Sequence, residues 1–475
     1  MGVEAFFADN LRKNLGFPAT PCQDALFEAL ARFTVQYEEC DIMLVSGYAG
    51  TGKTSSIAAF VKTLHQLKYK YVLLAPTGRA AKVLSSFTGC KASTIHKHIY
   101  RQKSLKNGLG EFELDINKSK DTYFIVDEAS LISVEQQDAS SSIFGTGDLL
   151  DDLVAYVRSG VDDKLIITGD PGQLPPIGLD RSPALDPEYM SRYGNVMTAS
   201  LSTVVRQAAQ SGILTNATIV RKLIERGEAR KPGLVLEGFT DVARVTGTEL
   251  IETLSDSIDR YGLDNIAVLC RSNRMANRYN AGIRSSVLFR EERLSKGDKL
   301  MVVKNCYQFV DDIPQLDFIA NGDVAQLQRI SHYEQRYGLN FADAVLTFPD
   351  YNDVEVSAKV ILDTLQSERP ALSPEQQNAL YEGVSEDYSD IKGARKRYEA
   401  VREDKYFNAL QLKYATAITC HKSQGGQWKC VFIDNPFWKD LTVDDLKWLY
   451  TALTRGVEKV FFVNFKDDFF EVRKD

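Results

Sequence analysis

Gly47-Tyr48-Ala49-Gly50-Thr51-Gly52-Lys53-Thr54 matches, at every fixed position, the pattern of Gly, four residues, then Gly-Lys-Ser/Thr. Ile42-Met43-Leu44-Val45 before it reads as a buried strand, and Ser55 to Leu67 after it reads as a helix. Strand, loop and helix in that order are the context in which the pattern has a mechanism. The glycines allow a tight turn whose successive backbone N–H groups face phosphate oxygens, and the helix N-terminus adds a favourable dipole. Gly47, Ala49, Gly50, Thr51 and Gly52 are therefore expected to line a nucleotide. Lys53 would reach its β- and γ-phosphates, and the Thr54 hydroxyl would hold Mg2+.

The rest of the composition narrows the class. The chain has 475 residues, 44% hydrophobic and 25% charged, which fits a globular protein of two to four domains. Its seven cysteines are an odd number with no C-x-x-C pair, against a disulfide framework or a zinc site. No apolar run approaches the roughly 18 residues of a membrane span, and the Met1–Phe6 start lacks the features of a signal peptide. A cytoplasmic protein is expected, nucleoid-associated if the host is bacterial. The net charge of −7 argues against coating duplex DNA by bulk electrostatics, while leaving room for a basic groove.

Three more strand ends carry polar groups. Tyr71 to Ala75 runs into Pro76, Thr77, Gly78 and Arg79, which suit a nucleic-acid backbone, though a plain β–α turn reads the same way. Tyr123-Phe124-Ile125-Val126 delivers Asp127 and Glu128 to the carboxyl edge of the sheet, where ligands of α/β proteins lie. Asp127 would bind Mg2+ through water and Glu128 would act as general base. Lys164 to Asp170 ends in Pro171-Gly172-Gln173-Leu174-Pro175-Pro176, a stiff loop whose Gln173 amide could meet a γ-phosphate. Between these lies Lys97 to Asp121, with Asn107-Gly108 beside alternating Phe112, Leu114 and Ile116, the signal of an inserted hairpin. It reads as a small inserted subdomain, with a decorative surface hairpin as the competing reading.

Gly-Asp-Pro-x-Gln-Leu-Pro-Pro, following a phosphate loop and an Asp-Glu strand, resembles motif III of superfamily 1B helicases, the RecD-like and phage Dda-like branch. Leu201 to Gln207 resembles motif IV, with Arg206 meeting the γ-phosphate. Ala415 to Gly425 resembles motif V and Leu449 to Gly456 motif VI, with Arg455 as an arginine finger. The resemblance runs from residue 23 to 456 in family order. It implies an adenine-reading Gln23, Gly425 among the nucleotide-binding residues, and a nucleic-acid path over Pro76, Thr77, Arg79, Thr94, His96, Asn273, Thr419, His421, Lys422 and Ser423.

The expected fold is α/β: two tandem RecA-like P-loop domains, one bearing an inserted β-hairpin subdomain and the other an inserted SH3-like β-barrel. The boundaries read as 1–96 with 122–208 for the first domain, 97–121 for the hairpin, 209–297 with 411–475 for the second domain, and 298–410 for the barrel and a helical extension. The basic run Lys392 to Arg397 in that extension reads as a solvated helix face, with DNA contact as the alternative. The implied activity is ATP-dependent 5′→3′ translocation on single-stranded DNA and unwinding at single-strand/duplex junctions. The expected protein is a monomer, with repair, recombination or replication proteins as possible partners. The competing reading is a nucleic-acid-stimulated ATPase motor or switch subunit with no unwinding of its own.

Overall fold

The computed structural model describes residues 2–35, 40–102, 112–134, 146–203, 210–306, 308–310, 313, 316 and 318–471. Arg206 and the hairpin tip, with Asn107-Gly108, lie outside the described residues.

Continuous apolar runs become parallel strands buried on both faces. The first sheet has six, in the spatial order Ala92–Thr94, Lys70–Ala75, Thr122–Val126, Lys164–Gly169, Ile42–Gly47 and Val196–Leu201, all paired in parallel. On one face the helices Val3–Leu15, Pro21–Val35 and Lys53–Gln66 pack through Phe7, Phe27, Phe33 and Phe60. Leu149–Arg158 covers the other face through Leu150, Leu153 and Val157. The strand order sets three chain ends side by side, those after Thr122–Val126, Lys164–Gly169 and Ile42–Gly47. The helix after the phosphate loop begins at Lys53, two residues earlier than its composition suggests, because Gly52 at φ 78° turns the chain straight into it.

The second sheet is also parallel, in the order Ala417–Thr419, Ile266–Cys270, Trp428–Asp434, Gly456–Val463 and Val242–Val245. Gly212–Arg226 and Val443–Leu453 cover the face whose core also takes in Tyr48 and Ala49 of the phosphate loop. Leu250–Tyr261 and Asn273–Gly282 cover the opposite face. The architecture is therefore two tandem RecA-like units.

Each unit carries an insertion. Tyr100–Gln102 pairs antiparallel with Phe112–Leu114 as the base of a hairpin. In the second unit Lys299–Val302, Val324–Arg336, Leu339–Phe348, Val354–Ile361 and Leu410–Tyr414 form a closed barrel. The last barrel strand differs from the expected boundary at 410. It runs on to Tyr414 because Leu300 to Val302 pair with Tyr414 to Leu412, which closes the barrel next to where it opened. Helices Pro374–Asp387 and Ala394–Glu403 precede that strand. The first starts with a capping box between Ser373 and Gln376. Within the basic run, Arg395 pairs with Glu399 and Arg397 donates to the Ser389 and Ile391 carbonyls. Among the described residues no helix is long and apolar enough to cross a membrane, and the seven cysteines are free.

Candidate functional site

The three adjacent strand ends converge as the topology requires. Lys53 Nζ lies 3.6 Å from Asp127 Oδ1, and both side chains are buried. Asp170, from the neighbouring strand, is 2% exposed. Burial opposes the Lys53 charge, but Asp127, Glu128 and Asp170 outweigh it, and the ammonium is held above its ordinary range. Burial raises Asp127 and Asp170, since one ammonium cannot compensate three neighbouring carboxyl groups. The pocket thus has an excess of acid that a divalent cation would neutralise.

Two further atoms suit a polar ligand. Among the described residues Glu128 Oε2 and Gln173 Oε1 are buried and meet no hydrogen-bond partner, a costly state that a bound group would relieve. Glu128 also has φ 55°, left-handed backbone for a non-glycine residue, which sharply turns the chain after Asp127. Its N–H donates to Asp127 Oδ1 at 2.9 Å. Thr54, in the first turn of the Lys53–Gln66 helix, and Asp127 supply a hydroxyl and a carboxylate, oxygen donors of the kind Mg2+ takes.

The second unit supplies the opposite wall. Tyr450, in the Val443–Leu453 helix, donates to Asp170 Oδ2 at 2.7 Å and accepts from the Ala49 N–H at 2.8 Å. One hydroxyl of the second unit thus joins the phosphate loop to the third strand end. Leu174 N–H donates to Thr451 Oγ1 at 2.9 Å, and Gln424 Nε2 donates to the Leu174 carbonyl at 2.7 Å. Arg455 is 3% exposed and donates to the carbonyls of Thr451 and Gly426 and to Thr454 Oγ1. Its charge acts on Lys53, opposing the lysine's own. Tyr450 and Asp170 were not among the residues singled out from the sequence. The available signal was a tyrosine in an otherwise apolar helix, since a buried tyrosine hydroxyl needs a partner.

Gln23 is fully buried beside the helix that follows the loop. Its Oε1 accepts from the Thr20 N–H at 2.9 Å and its Nε2 donates to Ser56 Oγ at 3.3 Å. Reading adenine would require it to exchange these partners. Gly425 does not lie on the phosphate loop. An added Cβ there would come within 2.8 Å of Ala80 Cβ and 3.1 Å of Thr77 Oγ1.

That approach brings together two of the loops expected to hold nucleic acid. Thr77, after Pro76, caps the Gly78–Thr88 helix by accepting from the Ala80 N–H. Arg79 stacks over Trp428 with its guanidinium carbon 4.0 Å from the ring centroid. Thr94 lies in register with Ala75, and its hydroxyl caps the short Ile95–Ile99 helix. Burial lowers the proton affinity of His96, to a pKa of about 4. Thr419 lies in register with Cys270, at the same edge of the second sheet. Burial, and then the charge of Arg271, lower the proton affinity of His421. Lys422 Nζ donates to Asn321 Oδ1 of the barrel at 2.8 Å, and Asn273 Nδ2 to the Glu368 carbonyl at 3.2 Å. Ser423 is withdrawn from this surface, fully buried and donating to the Cys420 carbonyl at 2.7 Å. A four-residue helix turns its side chain inward, which a linear motif does not reveal.

Comparison with known proteins places these elements. Residues 20–232 match the AAA domain family, and residues 414–463 match the UvrD-like helicase C-terminal domain. The chain is 30% identical over 178 residues to the ATP-dependent RecD2 DNA helicase of Deinococcus radiodurans, an alignment taking in 37% of this chain and 21% of that protein. An uncharacterized protein of Methanocaldococcus jannaschii is 22% identical over 470 residues, covering 88% of this chain and 36% of its own length. The chain thus spans about a fifth to a third of the length of these curated relatives. Among solved structures, a Pif1 helicase from Bacteroides in complex with ADP-AlF3 and ssDNA superposes with a TM-score of 0.48 at 15% identity, covering 96% of this chain and 95% of that one.

Proposed function

We propose, for a chain that belongs to the RecD-like branch of superfamily 1B helicases, an ATP-driven DNA helicase that moves 5′→3′ along a single strand and opens the duplex ahead of it. The observation that carries this reading is the Tyr450 hydroxyl shared between Asp170 and the phosphate-loop N–H of Ala49. It makes the nucleotide pocket a joint between two units, so a nucleotide bound there can report to both.

The N–H groups of Gly50 to Thr54 receive the phosphates, and Lys53 meets the β- and γ-oxygens. Thr54 and Asp127 would hold Mg2+, which would supply charge neutralisation for the phosphates. Glu128 takes the proton of the attacking water, Gln173 hydrogen-bonds the γ-phosphate, and Arg206 and Arg455 balance transition-state charge. A ligand shifts a two-state equilibrium only by its differential affinity. The γ-phosphate supplies that difference, because it is the group both units hold. Closing and opening then moves the loops around Thr77 and Thr94 relative to the loop around Thr419 and His421, with the strand between them. The working units are 1–96 with 122–208, the hairpin 97–121, the barrel extended to residue 414, and 209–297 with the remainder. The name of the Deinococcus relative, an ATP-dependent DNA helicase, supports the assignment.

The test is ATP-dependent unwinding of forked duplexes with a 5′ or a 3′ single-stranded tail. Unwinding from the 5′ tail alone, abolished in Lys53→Ala, is expected. Strand-stimulated hydrolysis without unwinding would favour a motor that serves other proteins.

A further inference from the structure

On the face of the second sheet turned away from the phosphate loop lies a cavity of about 550 Å³, within the size range of ligand pockets. It opens at the carboxyl ends of Ile266–Cys270, Trp428–Asp434 and Gly456–Val463, where Arg271, Asp434 and Asn464 line it. Ligands of parallel α/β sheets bind at such crevices. Nothing in the nucleotide chemistry uses it.

Its construction is specific. Leu254, Met275, Tyr279 and Ile283 form apolar walls. Asp434, 7% exposed, accepts from the Tyr279 hydroxyl at 2.6 Å and places a buried carboxyl group among them. At the mouth stands Trp438, 74% exposed. A tryptophan left that open offers a free π-face. Arg278 adds a cation to the rim, and Arg271 stands beside it in an ion pair with Asp445. Arg271 also connects the cavity to the proposed strand path, since its charge reaches His421 and Thr419 pairs in register with Cys270, the residue before it.

Apolar walls, an aromatic face, one hydrogen-bond acceptor and a cationic rim together fit one ligand class. We infer that this cavity receives a nucleobase of the single strand where it passes the Thr419–Lys422 loop, stacked at Trp438 with the Arg271 and Arg278 rim facing its phosphates. Base–aromatic stacking tolerates any sequence. Asp434 favours bases with an exocyclic amine over thymine, which has none to donate. A protein partner would also value the apolar walls. The cations at the rim and the continuity with the strand path favour nucleic acid. This inference rests on the proposed DNA-tracking function.

The test uses the full chain and a fluorescein-labelled 14-mer of deoxycytidine carrying photoreactive 5-iododeoxycytidine, which keeps the exocyclic amine, at successive positions. Irradiation should crosslink one or two adjacent positions to Trp438, read by mass spectrometry of the peptides. Trp438→Ala should weaken binding of the unmodified 14-mer about tenfold, in line with the loss of one stacked base. An abasic residue at the crosslinking position should cost the wild type the same factor and cost Trp438→Ala nothing further. If the 14-mer binds, but crosslinks elsewhere and equally well to Trp438→Ala, the cavity serves another partner and the inference is overturned while DNA tracking stands. If no 14-mer binds to the wild type, both fall.

Discussion

The hydroxyl of Tyr450 lies 2.7 Å from Asp170 Oδ2, although one residue sits on a helix of the second unit and the other follows a strand of the first. Asp170 is nearly inaccessible, and its other oxygen already accepts from the Gly172 N–H at 2.9 Å. Removing the hydroxyl in Tyr450→Phe leaves a buried carboxyl group short of one donor and the Ala49 N–H without its acceptor. The cost of such unsatisfied groups is about 1–3 kcal/mol, measurable by urea unfolding. Strand-stimulated ATP turnover should fall by more than ATP affinity does, because the lost bonds join the units and leave the phosphate contacts in place.

Arg455 sits at the end of the same helix, one turn beyond Tyr450. Arg455→Ala should bind ATP within a few-fold of wild type and hydrolyse it about 10³-fold more slowly, the scale on which arginine fingers act. Single-turnover hydrolysis alongside equilibrium nucleotide binding separates the two effects. An equal loss in both would make Arg455 a brace for the Thr451 and Gly426 carbonyls it touches, with no finger role.

The pH response should show His96. Its folded pKa of about 4 lies below the ordinary imidazole value of about 6.5. Folding therefore favours the neutral ring. The contribution is constant above about pH 6.5 and is lost as pH falls from there towards 4, because the unfolded chain takes up the proton first. With partial solvent screening the loss by pH 5 is about 1–2 kcal/mol. His96→Gln should flatten the decline of the unfolding midpoint between pH 7 and 5.

For the hairpin the prediction separates motor from wedge. Deleting Leu105–Phe112 should preserve strand-stimulated ATPase activity and abolish unwinding of a 5′-tailed fork. Unwinding that survives the deletion places the wedge elsewhere.

Much of this molecule is legible in its sequence for a simple reason. A parallel strand buried on both faces is an unbroken apolar run, and the first polar residue after it marks the sheet edge. Asp127, the first polar residue after Tyr123–Val126, is found that way. Contacts made across the fold are not legible. The last barrel strand, Leu410–Tyr414, is defined by pairing with Leu300 to Val302, far back in the chain, so local composition places its boundary early. Tyr450 finds Asp170 only because two sheets dock. Ser423 looks like a loop residue available to a ligand, yet it is buried, because it ends a short helix and donates back to the Cys420 carbonyl.

The pairing of Leu300 with Tyr414 has an architectural corollary. The chain leaves the second sheet and returns to it through two neighbouring strands, and the Ala415 N–H bonds the Lys299 carbonyl at 2.8 Å. Lys299 Nζ in turn holds the Asp264 carbonyl at 3.0 Å, just before the strand Ile266–Cys270. Everything between is a cassette with adjoining ends. Its removal or exchange would break no strand of the two parallel sheets beneath it.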